Sequence, residues 1–172
     1  MNDYLMARVN NIVYKDTLNT EISKSDISLL NSLPTKEVIS TLRGIFDKEH
    51  DDVLNSRAYN AILSIRNFDK VQFLIDIFDG ASIDWQIAHC KSFAQFHDPR
   101  AITKLCKILR ENKDADVRYV AAQSLAEMGD YTAVTALEHA QKNDIGKDYE
   151  GFSVADKARE ALLKIRGRMR SQ

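Results

Sequence analysis

His89 and Cys90 are the two adjacent residues whose types are best suited to covalent chemistry in this chain. A cysteine thiolate beside an imidazolium is an activated nucleophile. Neighbouring residues on an α-helix, however, point about 100° apart, so the two side chains would not naturally face each other. A later segment of the chain resembles the one around this pair and has Ala121 and Ala122 at the same positions. The sequence therefore predicts that the pair fills a seam between helices.

No other catalytic or metal-binding spacing is present in the sequence. It contains no H-E-x-x-H, G-x-S-x-G, C-x-x-C, Gly-Lys-Ser/Thr or G-x-G-x-x-G motif. Cys106, inside the run KLCKIL, is predicted to be a core residue. His50 lies in the polar run DKEHDD, which predicts a solvated turn or, alternatively, a cation held by His50 and the neighbouring carboxylates. We predict a chain that is not an enzyme and has no cofactor and no metal.

Composition favours a helical protein and disfavours several classes. The chain has 172 residues with 24 basic and 25 acidic side chains, a net charge of −1 that makes a nucleic-acid binder an unfavoured interpretation. Only six Gly and two Pro are present, fewer than a turn-rich β protein needs. No apolar stretch approaches the roughly 18 to 20 residues of a membrane span, and the N-terminus does not resemble a signal peptide. The predicted location is cytoplasmic, with no membrane partner.

A repeat organises the helices that must position these residues. The segment Asp116–Asp130 aligns with Asp84–Asp98 at an offset of 32 residues, the difference between 116 and 84. In the later copy the apolar residues recur at steps of four, four and three, which is one stripe of an α-helix: Val117, Ala121, Leu125 and Met128. Each unit indicates two helices that bury their stripes against neighbouring units.

The predicted fold is an all-α solenoid of about four helix pairs with an N-terminal helical cap, forming one domain over residues 1–172. The cap covers residues 1–33, with helices at 2–16 and 25–32, the repeats cover 34–167, and a basic tail covers 168–172. The pairs are 34–47 with 53–67, 70–79 with 85–97, 99–111 with 117–129, and 131–142 with 154–167. Asp84, Asp116 and Ser153 are predicted to cap second helices, and Pro99 follows a predicted cap at Asp98.

The best-matched segment, DVRYVAAQSLAEMGDYTAVTAL, resembles the short HEAT-like repeat first described in phycobilin lyases. The resemblance implies an α-solenoid, and it leaves function open because such arrays serve as lyases, adaptors, scaffolds and inhibitors. Some isomerising bilin lyases of this repeat family carry a functional His-Cys pair, so the resemblance implies His89 and Cys90 as alternative catalytic residues. The Asn expected just before that pair is absent here.

The exposed face of the second helices, the concave surface of such an array, is the predicted partner-binding site. Its predicted residues are Tyr59, Trp85, Gln86, Arg118, Tyr119 and Gln123, which include residue types favoured as interface anchors. An acidic run from Asp76 to Asp98 predicts a charged surface that steers the partner. The segment Asn143–Phe152 is predicted to be a mobile surface loop or, alternatively, a loop that contacts the partner.

Two functions from different classes follow from these patterns. The first is a non-enzymatic protein-binding module, a bacterial adaptor or a toxin-neutralising immunity protein that acts on one cognate partner through its concave face. The second, implied by the resemblance, is a phycobilin lyase or chaperone-type subunit that handles a tetrapyrrole. We favour the first, because the sequence carries interface residue types but no catalytic spacing.

Overall fold

The computed structural model describes residues 3–15, 19–48 and 51–170, and these fall into two compact units, Met1–Lys70 and Val71–Gln172. Every regular element in the described ranges is a helix, apart from one isolated bridge pair between Lys147 and Ser153. The predicted all-α class is confirmed. That the whole chain forms one domain stays a prediction.

The residues of the first unit that the structure describes form four helices. They are α1 (Asp3–Tyr14), α2 (Lys24–Ser32), α3 (Thr35–Lys48) and α4 (Asp52–Ser64). Helices α3 and α4 pack as a pair, and α1 and α2 each contact both of them. Burial of Leu42, Ile62 and Val9 removes apolar surface from water and supplies the main stabilisation of this unit.

Arg57, on α4, connects the pair to the N-terminal cap of the first unit. Its side chain is 2% exposed. The guanidinium donates four hydrogen bonds of 2.6–2.8 Å to backbone carbonyls, those of Ile12, Val13, Asn19 and Glu21. These carbonyls lie at the C-terminal end of α1 and in the segment before α2, so Arg57 holds that segment against α4.

The described part of the second unit forms six α-helices, which follow one another along the chain as three pairs. Its elements are α5 (Lys70–Phe78), α6 (Ile83–Phe93), α7 (Pro99–Glu111), α8 (Ala115–Met128), a 3₁₀ turn at Tyr131–Ala133, α9 (Val134–Asn143) and α10 (Val154–Arg170). Helix α8 packs against α6, α7 and α10, and α9 packs against α7 and α10. The second helices α6, α8 and α10 therefore stack in one layer and the first helices α7 and α9 in another, the arrangement of an α-solenoid.

The predicted stripe faces the interior of the second unit. Val117, Ala121 and Leu125 are fully buried, and Met128 is nearly so. Cys106 is buried, as predicted. Burial of this stripe stabilises α8, because neighbouring helices cover the apolar face and remove it from water.

Two of the predicted helix caps are wrong by two residues. Helix α6 is capped by Ser82 rather than Asp84, and α8 by Asp114 rather than Asp116. Each true cap accepts backbone N–H groups of the first turn, which leaves the carboxylate of Asp116 available for another contact. Ser153 accepts from the Asp156 N–H, and Asp98 caps α7 ahead of Pro99, as predicted.

The chain ends differ slightly from the expectation. Residues 168–170 continue α10 rather than forming a separate tail, and Arg168 donates to the carbonyls of Ala126 and Gly129 at 2.7 Å. The predicted turn or cation site at His50 lies outside the described residues, as do residues 171–172. Within the described ranges, no helix combines the length and apolar character that a membrane span requires.

Candidate functional site

The second-helix surface of residues 71–172 consists of the exposed sides of α6, α8 and α10, together with the loop at residues 144–153 that joins α9 to α10. On α8 the side chain of Gln123 is exposed and that of Tyr119, one turn earlier, is half-buried. Both predicted residues therefore lie on one side of α8, because residues four apart share a helix face.

Arg118 holds the start of the 144–153 loop. Its Nε and Nη2 donate to the two carboxylate oxygens of Asp144 at 2.7 and 2.9 Å. Its Nη1 donates to the carbonyls of Asn112 and Lys113 at the turn before α8. This bidentate pair is the strong geometry for arginine and carboxylate. Arg118 was predicted as a partner contact, but its guanidinium is occupied within the chain.

Electrostatics at this pair favour the ionised state of both groups. Burial acts to raise the pKa of Asp144, but the hydrogen bonds from Arg118 and from the Gly146 N–H outweigh it and lower that pKa below its usual value. The hydrogen bond to Asp144 raises the pKa of Arg118. A Cβ atom at Gly146 would collide with Nη2 of Arg118, so this close approach requires glycine.

The rest of the loop is fixed by two further carboxylates. Asp116, in the first turn of α8, accepts the Tyr149 N–H at 2.6 Å. Asp148 accepts the N–H groups of Glu150 and Phe152 at 3.1 and 2.8 Å. The segment predicted to be a mobile surface loop is hydrogen-bonded along much of its length, and its contact with a partner stays a prediction.

An aromatic patch results from this loop geometry. We use that name for Tyr119 and Phe152, whose rings stack, together with the exposed Tyr149 of the same loop. The Phe152 ring stacks on the Tyr119 ring with centroids 6.4 Å apart, and Lys157 Nζ lies 5.1 Å from the centroid of the same tyrosine. Tyr149 is 84% exposed and Phe152 55% exposed. Large aromatic side chains that are exposed yet held in place are the residue types that dominate protein interfaces.

Trp85 and Gln86 lie in the first turn of α6. The Trp85 ring is half-buried, with its centroid 5.8 Å from that of His89. Gln86 accepts a hydrogen bond from Asn112 at 2.8 Å and lines a groove of about 610 Å³ between the α5–α6 and α7–α8 turns. Both predicted residues thus have contacts inside the second unit and keep part of their surface accessible.

Tyr59 does not lie on an exposed face. Its side chain is 4% exposed, and its ring lies 6.0 Å from that of Phe46 within the first unit. The prediction failed because the helical stripe of α4 is broader than the repeat alignment indicated. It includes Leu54, Arg57, Ala58, Tyr59, Ala61 and Ile62.

The acidic run is neutralised more than the sequence predicted. Asp79 pairs with Lys104 at 2.9 Å, and Asp98 both caps α7 and pairs with Arg100 at 2.8 Å. Asp76 accepts a hydrogen bond from Gln72. Of the acidic surface expected here, the exposed Asp76 and Asp84 keep their charges without a basic partner among the described residues, whereas Lys104 and Arg100 pair with Asp79 and Asp98.

His89 and Cys90 are both fully buried, as predicted. Burial lowers the pKa of His89 to about 4 and raises the pKa of Cys90 to about 12. At neutral pH the pair is therefore an uncharged imidazole and a thiol, which is the opposite of an activated nucleophile. Its geometry supports a packing role.

The sequence missed Tyr149, Phe152 and the two carboxylates that anchor their loop. One local signal was present: Asp144 and Gly146 form an Asp-x-Gly pattern that is typical of a side-chain-stabilised turn. The contact of Tyr149 with Asp116 spans 33 residues, and no local pattern predicts such a pair.

Comparison with known families identifies the repeat. Residues 71–148 match the family model described as HEAT repeats. No curated protein and no solved structure matches the chain. This segment of the chain is therefore similar to HEAT repeats, and the predicted α-solenoid class is confirmed. Residues 71–148 are a repeat module of the kind that mediates protein–protein interaction.

Proposed function

From this HEAT-repeat architecture we propose that the chain is a non-enzymatic module that binds one partner protein in the cytoplasm, as a bacterial adaptor or a toxin-neutralising immunity protein does. Binding takes place on the second-helix surface of residues 71–172. The observation that carries the proposal is the aromatic patch, in which Tyr119, Tyr149 and Phe152 remain accessible although the loop around them is tightly hydrogen-bonded.

Pre-organisation is what makes such a surface suited to binding. A flexible loop loses conformational entropy when it docks, whereas a loop already held by Arg118, Asp116 and Asp148 has little left to lose. Tyrosine and phenylalanine bury large areas at low side-chain entropy cost. The proposal therefore combines anchors of the right type with a rigid support.

A catalytic alternative has less support. The lyase interpretation requires a reactive His89–Cys90 pair, but both side chains are buried and burial favours their uncharged forms. A tetrapyrrole would also need to reach Cys90 through packed helices. We therefore propose binding rather than catalysis.

The experiment begins with co-expression of the chain and the proteins encoded by adjacent genes, followed by co-purification. The complex is then titrated with the wild type and two matched variants, Gln123→Arg on α8 and Thr103→Arg on α7. Both residues are exposed on helices, so neither change should unfold the chain. We expect Gln123→Arg to weaken binding at least about tenfold, because it places a bulky charge in the interface, and Thr103→Arg to change it less than about twofold.

Two outcomes would contradict the proposal. If no adjacent-gene product forms a stable complex, stoichiometric binding of a cognate partner is wrong. If Thr103→Arg costs more affinity than Gln123→Arg, the interface lies on the first helices. Growth of cells that express the partner separates the two roles, because an immunity protein restores growth and an adaptor does not.

A further inference from the structure

The aromatic patch lies among carboxylates whose charges are not neutralised. Asp116 and Asp148 accept only backbone N–H groups, and Glu150 accepts the Tyr149 hydroxyl at 3.2 Å. Within the described ranges, no lysine, arginine or histidine forms an ion pair with any of the three. The contrast is Asp144, whose charge is met by Arg118.

The net charge around the exposed ring of Tyr149 is therefore negative. Lys147 is the single basic residue of the 144–153 loop, whereas Asp148 and Glu150 of the loop and Asp116 of α8 are three carboxylates without an ion pair in the described ranges. The hydrogen bond to Glu150 and the charges of Glu150, Asp148 and Asp116 all raise the pKa of Tyr149. A phenol whose ionisation is disfavoured in this way reports a negative potential at its oxygen.

One ring of the aromatic patch already contacts a cation. Lys157 already lies over the ring of Tyr119, 5.1 Å from its centroid, while its ammonium pairs with Glu160 at 2.8 Å. An aromatic face and a carboxylate thus hold one cation between them. Tyr149 and Phe152 offer the same combination, because each is an accessible aromatic ring with carboxylates nearby.

We propose that the 144–153 loop selects the partner, and that the partner presents a basic segment whose arginine side chain lies against Tyr149 and Phe152 and pairs with the surrounding carboxylates. This inference rests on the proposed function, since it names the chemistry of the partner that the same surface binds. Arginine fits better than lysine because its planar guanidinium stacks on aromatic rings while donating two parallel hydrogen bonds to a carboxylate.

The complementary charges have a kinetic consequence. A basic segment approaching a negative loop is steered toward it, so association is fast at low salt and slows as salt screens the charges. The aromatic rings contribute chiefly to the lifetime of the complex, because they are buried only after docking.

The test is a selection of random peptides displayed on phage against the full-length chain, followed by synthesis of the enriched peptides and titration. We expect enriched peptides to contain arginine and to lack aspartate and glutamate. Tyr149→Ala should weaken their binding at least about tenfold. The matched control is Tyr131→Ala, which removes another exposed tyrosine and should leave binding unchanged.

Two charge variants test the sign of the interaction. Glu150→Gln should weaken the arginine peptides by about two- to fivefold, and Lys147→Gln should tighten them by a similar factor. Both side chains are exposed, so neither variant should alter the fold. The opposite pair of changes would show that the partner is acidic and would overturn the proposal.

Failure of this inference can be told apart from failure of the proposed function. The loop proposal is wrong if the enriched peptides contain neither arginine nor lysine. It is also wrong if the peptides bind equally well to Tyr149→Ala while Gln123→Arg abolishes binding. In both cases the second-helix surface remains the interface. If no peptide is enriched, the loop proposal is also overturned. The adjacent-gene complex then decides on the proposed function by itself.

Discussion

Arg57 and Arg118 each fix an irregular segment to the second helix of a pair, but the two units use them differently. Arg57 donates only to backbone carbonyls and is 2% exposed, so the segment that it holds belongs to the interior of the first unit. Arg118 donates to a carboxylate and two carbonyls at the edge of the second unit. We call both arginines clamps. Arg57 is a clamp that completes a core, and Arg118 is one that supports an exposed surface.

The side chains beside the two clamps differ in the same way. Around Arg57 the contacted segment offers backbone oxygens, which stabilise a buried cation by hydrogen bonding. Around Arg118 the clamped loop directs Tyr149 and Phe152 outward. An accessible aromatic ring contributes little to folding, because it stays in contact with water in the folded chain.

The largest expected effect is on the first unit. Arg57→Met should reduce the free energy of unfolding by about 3–5 kcal/mol, because it removes four hydrogen bonds and leaves buried carbonyls without donors. Urea denaturation followed by circular dichroism measures this loss. Arg66→Ala, at an exposed arginine of the same unit, is the control and should cost under about 0.5 kcal/mol. Equal losses would mean that Arg57 is not a clamp.

The second unit buries a titratable group as well, but in its neutral form. The pKa of His89 lies at about 4 in the folded chain, below the ordinary 6.5. Between pH 6.5 and about 4, His89 therefore binds a proton in the unfolded chain but not in the folded chain. Stability contributed by His89 is complete above pH 6.5 and decreases as the pH falls toward 4, by about 3 kcal/mol in total.

His89→Leu isolates this contribution. The variant should lose most of the slope of stability against pH between 6.5 and 5, a range above the ordinary titration of carboxylates. Urea denaturation at half-unit steps of pH measures the slope for wild type and variant. An unchanged slope would show that His89 has the same pKa in the folded and the unfolded chain and would contradict this account.

A smaller effect is expected for the second clamp. Arg118→Ala should cost about 1–3 kcal/mol, because both partners are largely but not fully buried and the carboxylate of Asp144 can gain water. A double-mutant cycle with Asp144→Asn should give a coupling energy of at least about 0.5 kcal/mol. Additive losses would mean that the two side chains do not act as a pair.

Acid should release this clamp and not the first. The pKa of Asp144 is lowered in the folded chain, so its contribution is complete above the ordinary pKa of an aspartate and is lost as the pH falls through the lowered value. Arg57 donates to carbonyls, which do not titrate in this range. The amide resonance of Gly146, which donates to Asp144 at 2.8 Å, reports the titration directly.

The smallest effect lies outside both clamps. Gly167 is in α10, and a Cβ atom there meets nothing within 4 Å. Gly167→Ala should therefore stabilise the second unit by about 0.5–1 kcal/mol through lower backbone entropy in the unfolded chain. Gly146→Ala is the opposing control, because its Cβ would collide with Arg118. If both variants behaved alike, the close approach at Gly146 would be in doubt.

The regular helices were predictable because their signals are local. The stripe of Val117 and Leu125 and the Asp98–Pro99 helix start each depend on residues within a few turns, and both were placed correctly. The caps were ambiguous because Ser82 and Asp84, like Asp114 and Asp116, offer two capping side chains two residues apart. Only packing decides between them.

The candidate site was less predictable because its contacts are distant in sequence. Arg118 and Asp144 are 26 residues apart, and the face of α4 that buries Tyr59 is set by packing against other helices of its unit. A repeat alignment transfers helix positions but not the insertions between helices, and the 144–153 loop is such an insertion. Its exposed aromatic groups therefore lay outside the repeat pattern.

Amide hydrogen exchange of the 144–153 loop tests the central claim most directly. If the loop is held as described, the N–H groups of Gly146, Tyr149 and Phe152, which donate to carboxylates at 2.6–2.8 Å, exchange slowly, while that of Ile145 exchanges at the rate of an unstructured peptide. Arg118→Ala should remove the protection at Gly146 first. Uniformly fast exchange across the loop in the wild type would contradict the claim, since a surface that is not pre-organised could not present Tyr149 and Phe152 as anchors.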